Sequence, residues 1–289
     1  MIAKVFSGLR KQAFFIYSAF LTYFFGSALA GFENRGLRWV NFFIGLLFFL
    51  IVILTRTLFD HLTTSKINPY TRVNFQKDKT KAQLFFLTLI LFFCFSFVIY
   101  ALLQLKILIG GNLIYITLIT LLMLIALSRS GKIFQKNFNV IIEAFIVSPL
   151  MLLLGTGLQE KNPSLIMFLL TLPFFLLYVS ASIAILFEKF DREASQPGKS
   201  LLNIIGWENS IRLHNFSLIG VYLSFLLYFY LTNALPLYWP VLLVALISIF
   251  EMFLLHRLAM GMKPNWTLLK ATAYLQFFSI IYLLIFPLL

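Results

Sequence analysis

The chain has 289 residues, of which 61% are hydrophobic and only 11% are charged. Soluble domains are about one quarter charged, so this composition excludes a soluble globular protein and indicates a chain whose solvent is lipid. The net charge of +13 does not indicate a nucleic-acid partner, because the basic residues are divided among short loops between apolar stretches.

Nine apolar stretches follow one another along the chain. A helix that spans a membrane needs about 20 mostly apolar residues, and a helix satisfies its own backbone hydrogen bonds in hydrocarbon. We therefore predict an all-α polytopic membrane protein, with one transmembrane domain over 1–289. The predicted helices are 13–32, 40–58, 82–103, 107–128, 137–157, 165–187, 216–231, 239–255 and 268–289.

The first predicted helix contains Gly26 among other small residues, which favour close packing between helices in lipid. In the fifth, Pro149 is expected to produce a kink. Cys94 is the only cysteine, so no disulfide bond is possible within one chain.

Basic residues are concentrated in the loops of one membrane face. With nine helices, eighteen Lys and Arg residues lie in the loops of that face and four lie on the other. Positive residues mark the cytoplasmic side, so we expect a cytoplasmic N-terminus. We also expect an integral protein of the plasma (inner) membrane.

Two polar segments, 56–81 and 188–214, interrupt the apolar pattern on that same face. The first opens with Phe59-Asp60 at a predicted helix end, and the second carries Glu188, Asp191 and Glu193. We expect these polar loops to face each other and to form a cytoplasmic cap on the helices.

The second polar segment resembles the second acidic motif of the UbiA superfamily of intramembrane prenyltransferases. The match covers 188–195, EKFDREAS, and 198–206, GKSLLNIIG. In the first segment, Asp60 occupies the position of the middle Asp of the family's NDxxDxxxD motif, and Pro69 has the family spacing from it. The resemblance implies a UbiA-like bundle of nine helices around a central cavity that opens near Asp60 and Asp191.

The resemblance also implies a magnesium site, because the motif carboxylates of this family hold Mg²⁺ ions that bridge an isoprenoid diphosphate. Asp60 and Asp191 would be the catalytic and metal-binding acids, with Glu188 and Glu193 as further possible ligands. Mg²⁺ is usually held by one or two carboxylates plus substrate phosphates. Where the family has other motif residues, this chain has Arg56-Thr57, Thr64 and Ser195, so the implied site is a weakened one.

Several basic residues near these motifs are candidates for direct contact with the diphosphate, since Arg binds phosphate by paired hydrogen bonds. The alternative is the ordinary positive charge of a cytoplasmic face. Arg56 is the strongest candidate, because it replaces a motif residue at a helix end. The candidates are Arg56, Lys66, Arg72, Arg129 and Lys199.

Two acids, Glu143 and Glu251, lie inside predicted membrane helices. An acid in a membrane helix is a functional candidate, but both lie within about two turns of the cytoplasmic edge and could instead extend to water. The three histidines, His61, His214 and His256, form no recognisable motif.

Two functions follow from these observations. The favoured one is an enzyme that transfers a prenyl group from an isoprenoid diphosphate to an aromatic or other lipophilic acceptor, with Mg²⁺ as cofactor. The alternative is a catalytically degenerate relative that binds a lipid or quinone-like ligand or scaffolds a membrane complex. The altered motif positions favour the alternative, and the retained 198–206 segment favours the enzyme.

Overall fold

The computed structural model describes residues 13–34, 36–64, 140–159, 165–193, 202 and 205–288. For 52, 55–64, 165–166 and 189–193 it describes the helix backbone alone. All secondary structure in these ranges is helical, and they contain no β-strand. The prediction of an all-α fold is confirmed.

Eight helices make up the described part of the chain, and most of them cross the whole bundle. In chain order they are α1 (Ala13–Glu33), α2 (Trp39–Thr64), α3 (Val140–Gln159), α4 (Leu165–Glu193), α5 (Trp207–Leu231), α6 (Leu235–Leu243), α7 (Ala245–Ala259) and α8 (Trp266–Ile285). A 3₁₀ turn, Phe286–Leu288, follows α8.

Six segments in the described ranges are long and apolar enough to cross a membrane, with α6 and α7 counted as one segment, Leu235–Ala259. The apolar described part of α2, Trp39–Ile51, is shorter. The chain is a polytopic integral membrane protein, as its composition predicts. The predicted helices 82–103 and 107–128 lie outside the described residues, so the count of nine stays a prediction.

The helices α1 and α3 approach each other backbone to backbone. A methyl group at Gly26 would overlap the carbonyl of Leu152, and one at Gly155 would overlap the carbonyl of Tyr23. Ser27 Oγ also donates to the carbonyl of Gly155 across this contact (3.4 Å). Small residues therefore provide the close packing in lipid that the sequence predicts for the first helix.

Helix α4 is the centre of the described bundle, since it packs along α5 and also contacts α3 and α8. Aromatic contacts join these helices: Phe174 meets Phe225 of α5 edge to face at 5.9 Å, and Phe187 meets Trp207 at 4.6 Å. Helix α8 also packs against α1 and α7, so the C-terminal helix connects the first half of the chain to the second.

Three helix boundaries differ from the predicted ones by six residues or more. Helix α2 continues to Thr64, α4 continues to Glu193, and α5 begins at Trp207. The predicted polar loops 56–81 and 188–214 therefore begin inside helices, and the second also ends inside one. Glu, Lys and Arg are good helix formers, and a helix that has left the hydrocarbon can carry charge, so polarity alone does not end these helices.

Pro149 lies in a π-helical turn, Ile146–Leu150, inside α3. Such turns are a recognised way for a helix to accommodate an interruption of its hydrogen bonds. The local disturbance predicted at Pro149 takes this form, and Ser148 Oγ within the same turn donates to the carbonyl of Thr171 in α4.

Candidate functional site

The helices that carry Asp60 and Asp191 end at the same end of the bundle. Helix α2 begins beside the end of α3, where the N–H of Arg38 donates to Oε1 of Gln159 (2.9 Å) and Asn41 donates to the carbonyl of Leu158 (2.6 Å). Helix α4 also begins there, because it follows α3 after a short connection. Both helices cross the bundle from that end, so both finish at the opposite one.

These two helices are longer than the hydrocarbon layer is thick. Helix α2 has 26 residues and α4 has 29, which correspond to about 39 and 44 Å at 1.5 Å per residue. The hydrocarbon core of a bilayer is about 30 Å thick. The backbone positions of Asp60 and Asp191, near the two helix ends, are therefore suited to a site at the membrane edge.

The other predicted site residues divide into two groups. Arg56 lies on the last turns of α2 and Glu193 on the last turn of α4, where the backbone alone is described. The remaining basic candidates, Lys66, Arg72, Arg129 and Lys199, lie outside the described residues. Whether these side chains converge on one diphosphate stays a prediction.

Glu188 is the predicted metal ligand whose side chain the structure describes. It is largely buried and forms an ion pair with Lys270, near the start of α8. The pair joins the end of α4 to the start of α8. It also gives the carboxylate a cationic partner, so Mg²⁺ would have to compete with Lys270 for it.

Binding of Mg²⁺ at this end of the bundle depends on which oxygen donors are present and where they lie. Asp60 and Asp191 supply carboxylate oxygens, which suit a hard cation, and they lie on helices that finish at one end of the bundle. The donor set fits Mg²⁺ in this respect. Among the side chains that the structure describes, no group of three or more His, Cys, Asp or Glu could hold a metal ion.

Glu143 is bonded within the bundle. Tyr178 Oη on α4 donates to Oε2 of Glu143 on α3 at 3.0 Å. The Tyr178 ring stacks on Phe14 of α1 at 5.3 Å and meets Phe277 of α8 edge to face at 6.2 Å. Glu143 is half-buried, so this acid belongs to a junction of α1, α3, α4 and α8.

Glu251 is wholly buried and does not extend to water. Its Oε1 lies 3.1 Å from Nε2 of His214, which is also wholly buried. The other ring nitrogen of His214, Nδ1, lies 3.1 Å from Oδ1 of Asn215. The alternative in which Glu251 snorkels is therefore wrong, and His214 is a partner of this acid rather than an isolated residue.

More polar groups surround this pair where α5, α7 and α8 meet. Tyr222 Oη lies 2.6 Å from Ser248 Oγ and also interacts with the side chain of Gln276 and with the charge of Glu251. We call His214, Tyr222, Ser248, Glu251 and Gln276 the inner polar cluster. Two of its buried atoms, Glu251 Oε2 and Gln276 Nε2, have no hydrogen-bond partner among the described residues.

The sequence contained one usable signal for this cluster. A buried charge in a membrane helix requires a partner of opposite charge or a hydrogen bond, and Glu251 has that need. The partner could not be chosen from the sequence, because His256 is close along the chain whereas His214 is 37 positions away and meets Glu251 only through the packing of α5 on α7.

A comparison with solved structures relates the whole fold to a known one. A structure of digeranylgeranylglyceryl phosphate synthase in membranes matches 99% of this chain and 97% of its own, with a TM-score of 0.56. That protein is an intramembrane prenyltransferase of the UbiA superfamily. The chain has the UbiA fold. The fold resemblance predicted from the two polar segments is thus confirmed.

Sequence identity to that synthase is 16%, so the UbiA likeness of this chain is a likeness of fold. No protein-family model matches the chain, and no curated protein matches it in sequence.

Proposed function

We propose that this UbiA-like protein transfers a prenyl group from an isoprenoid diphosphate to a lipophilic acceptor within the membrane. The observation that carries the proposal is the match of nearly the whole chain to the fold of an intramembrane prenyltransferase. The positions of Asp60 and Asp191 add support, because both lie on last turns of helices that finish at one end of the bundle.

The reaction breaks the bond between the prenyl carbon and the diphosphate oxygen, and a nucleophilic atom of the acceptor then bonds to that carbon. Diphosphate leaves with the bonding electron pair, and the acceptor releases a proton. Mg²⁺ held by Asp60 and Asp191, with Glu193 as a further ligand, would supply positive charge to the leaving group. Arg56, Lys66, Arg72, Arg129 and Lys199 would bind phosphate oxygens through charge-assisted hydrogen bonds.

A second candidate function is binding without transfer, as in a degenerate relative that holds a lipid or quinone-like ligand. The ion pair between Glu188 and Lys270 favours it, since it occupies one possible metal ligand. Thr57, Thr64 and Ser195 stand where the family has carboxylates, which further reduces the negative charge available to hold metal ions.

The test uses the purified full chain in detergent with Mg²⁺, labelled prenyl diphosphates of several chain lengths and a panel of aromatic and lipophilic acceptors. We expect a prenylated product with at least one donor and acceptor pair. The Asp60→Asn/Asp191→Asn variant should lose most of this activity.

The matched control is Glu208→Gln, which removes one exposed carboxylate from the first turn of α5 and should leave transfer unchanged. Binding of prenyl diphosphate without any product would favour the second candidate. Product formation that is equal in wild type and the double Asp variant would exclude the proposed site.

A further inference from the structure

The inner polar cluster lies well inside the bundle. Tyr222 is 15 residues from the first residue of α5, or about 22 Å along the helix, and Gln276 is ten residues from the start of α8, or about 15 Å. Asp60 and Asp191 lie instead on the last turns of their helices. The cluster is therefore a separate feature from the proposed diphosphate site.

Only one of the two carboxyl oxygens of Glu251 has a hydrogen-bond partner among the described residues. His214 contacts Oε1, while Oε2 is buried and has no partner among the described residues. Removing a carboxylate from water is expensive unless its remaining lone pairs accept hydrogen bonds. Oε2 therefore requires a hydrogen-bond donor.

Gln276 has a side-chain donor, Nε2, that needs a hydrogen-bond acceptor. Its Nε2 is buried, carries only donor hydrogens and makes no well-formed hydrogen bond among the described residues, although Tyr222 Oη lies near the amide. Tyr222 interacts with both Gln276 and Glu251, so the two unpartnered atoms belong to one polar region. Each buried polar atom without a partner costs free energy, and two of opposite kind in one region indicate a ligand that satisfies both.

Few chemical groups can satisfy this pair of atoms. A carbonyl can accept from Nε2 but cannot donate to Oε2, and an ammonium group can donate but cannot accept. A hydroxyl does both, since it has one donor hydrogen and two acceptor lone pairs. A hydroxyl is the simplest neutral group with both capacities, so the chemistry of the cluster fits a hydroxyl group.

We propose that the inner polar cluster is a binding site for a hydroxyl group, which donates to Oε2 of Glu251 and accepts from Nε2 of Gln276. The hydroxyl belongs either to water or to a lipophilic alcohol that enters from the membrane. The site is independent of the proposed prenyl transfer, because none of its residues belongs to the diphosphate site.

The proposal is tested by whether Gln276→Met raises or lowers the apparent unfolding temperature of the protein. Gln276→Met keeps the length of the side chain and removes the amide. If Nε2 were truly without a partner, the loss of a buried unsatisfied group would leave the apparent unfolding temperature unchanged or raise it. With a bound hydroxyl we expect it to fall, by about 2–6 °C.

Two controls calibrate this measurement on the full chain in detergent. Gln159→Met removes a buried amide that has partners on both sides, the N–H and the carbonyl of Arg38, and it shows the effect of losing a satisfied glutamine. Because Tyr222→Phe removes both the hydrogen bond to Ser248 and the contact with Gln276, Gln276→Met is also made in a Tyr222→Phe background. The loss that remains in that background does not come from the contact with Tyr222.

Two additives distinguish the sources of the hydroxyl. The prenyl alcohol farnesol and the related hydrocarbon farnesene are added at equal concentrations. If the site takes a lipophilic alcohol, farnesol should stabilise wild type by about 2 °C or more over farnesene and should not stabilise Gln276→Met. If the site holds water, the two additives should act alike while Gln276→Met remains less stable than wild type.

The proposal is overturned if Gln276→Met is as stable as wild type or more stable. It is also overturned if Gln276→Met causes no further loss of stability in the Tyr222→Phe background. If Gln276→Met does not fold, an experimental density map of wild type decides the question. Density within hydrogen-bond distance of both Glu251 Oε2 and Gln276 Nε2 supports the site, and side chains that turn to other partners exclude it.

Discussion

At the scale of single residues, the most consequential pair is His214 and Glu251. Both side chains are wholly buried, and they join α5 to α7 through one contact of 3.1 Å. Neither residue belongs to the motifs that resemble the UbiA family. A buried pair of this kind is strongly destabilising when one partner is removed, and often nearly neutral when both are replaced by apolar residues.

This asymmetry gives a testable prediction. His214→Leu alone leaves a buried carboxylate without its partner, and we expect a loss of roughly 3–5 kcal/mol. The double variant His214→Leu/Glu251→Leu removes both polar groups, and it should recover most of that loss. The measurement is the denaturant or thermal unfolding of each variant in detergent, and a double variant less stable than His214→Leu would contradict the expectation.

A second prediction at this scale concerns diphosphate binding. The chain has Thr57, Thr64 and Ser195 in place of motif carboxylates, so each missing acid removes charge that would hold metal ions. We expect prenyl diphosphate binding to persist at low Mg²⁺ and to weaken with salt, because charge contacts at a surface are screened. Arg56→Ala should weaken it by roughly tenfold or more, corresponding to about 1.5–3 kcal/mol for a charge-assisted contact.

The measurement is the affinity for a labelled prenyl diphosphate in wild type and in Asp60→Ala/Asp191→Ala, each with and without Mg²⁺. The same affinity in all four cases would remove the two Asp residues from the diphosphate site. It would favour the protein that binds a lipid without transferring a prenyl group.

At the scale of helices, the contact between α1 and α3 depends on glycine. A Cβ at Gly155 would overlap backbone atoms of α1, and backbone cannot move aside as a flexible side chain can. In lipid the hydrophobic effect does not drive two helices together, so their association depends on close van der Waals packing. The interface should therefore be sensitive to a single methyl group.

We predict that Gly155→Ala destabilises the protein by about 1–3 kcal/mol, the range for overpacking a close contact. Gly36→Ala is the matched control, because a Cβ at Gly36 would meet no atom within 4 Å. Thermal unfolding in detergent compares the two variants. Equal stability of both would mean that α1 and α3 are not held as closely as the backbone contact indicates.

At the scale of the whole molecule, the orientation in the membrane follows from the loop charges. The excess of basic residues on one face predicts that Thr64 and Ser195 both face the cytoplasm. Thr64 ends α2, at the same end of the bundle as the end of α4. The ends of α2 and α4 thus lie at the same end of the bundle. The charge pattern predicts on which side of the membrane that end lies.

Single cysteines at these two positions, Thr64→Cys and Ser195→Cys in a Cys94→Ala background, test this orientation. In intact cells both should resist a thiol reagent that cannot cross the membrane, and both should react after permeabilisation. A cysteine added at Gly36, at the opposite end of α2, is the positive control and should react without permeabilisation. Reaction at position 64 or 195 in intact cells would reverse the predicted orientation.

Much of the fold could be predicted from the sequence, because hydrophobicity and its run length are local properties of the chain. The apolar stretches determined that the protein is helical and lies in a membrane, and the segments around Asp60 and Asp191 were enough to indicate the UbiA fold. The same local information could not give the helix ends correctly, since Glu193 and Trp207 lie beyond the predicted apolar stretches and are nevertheless helical.

Tertiary structure alone decided which distant residues meet. The pairing of His214 with Glu251, of Lys270 with Glu188, and of Tyr178 with Glu143 joins residues 35 to 82 positions apart. The sequence alone indicates that each acid needs a partner, because an isolated charge in lipid is costly. Which partner it finds depends on how two helices rotate and pack against each other, and that is a property of the folded bundle rather than of any stretch of sequence.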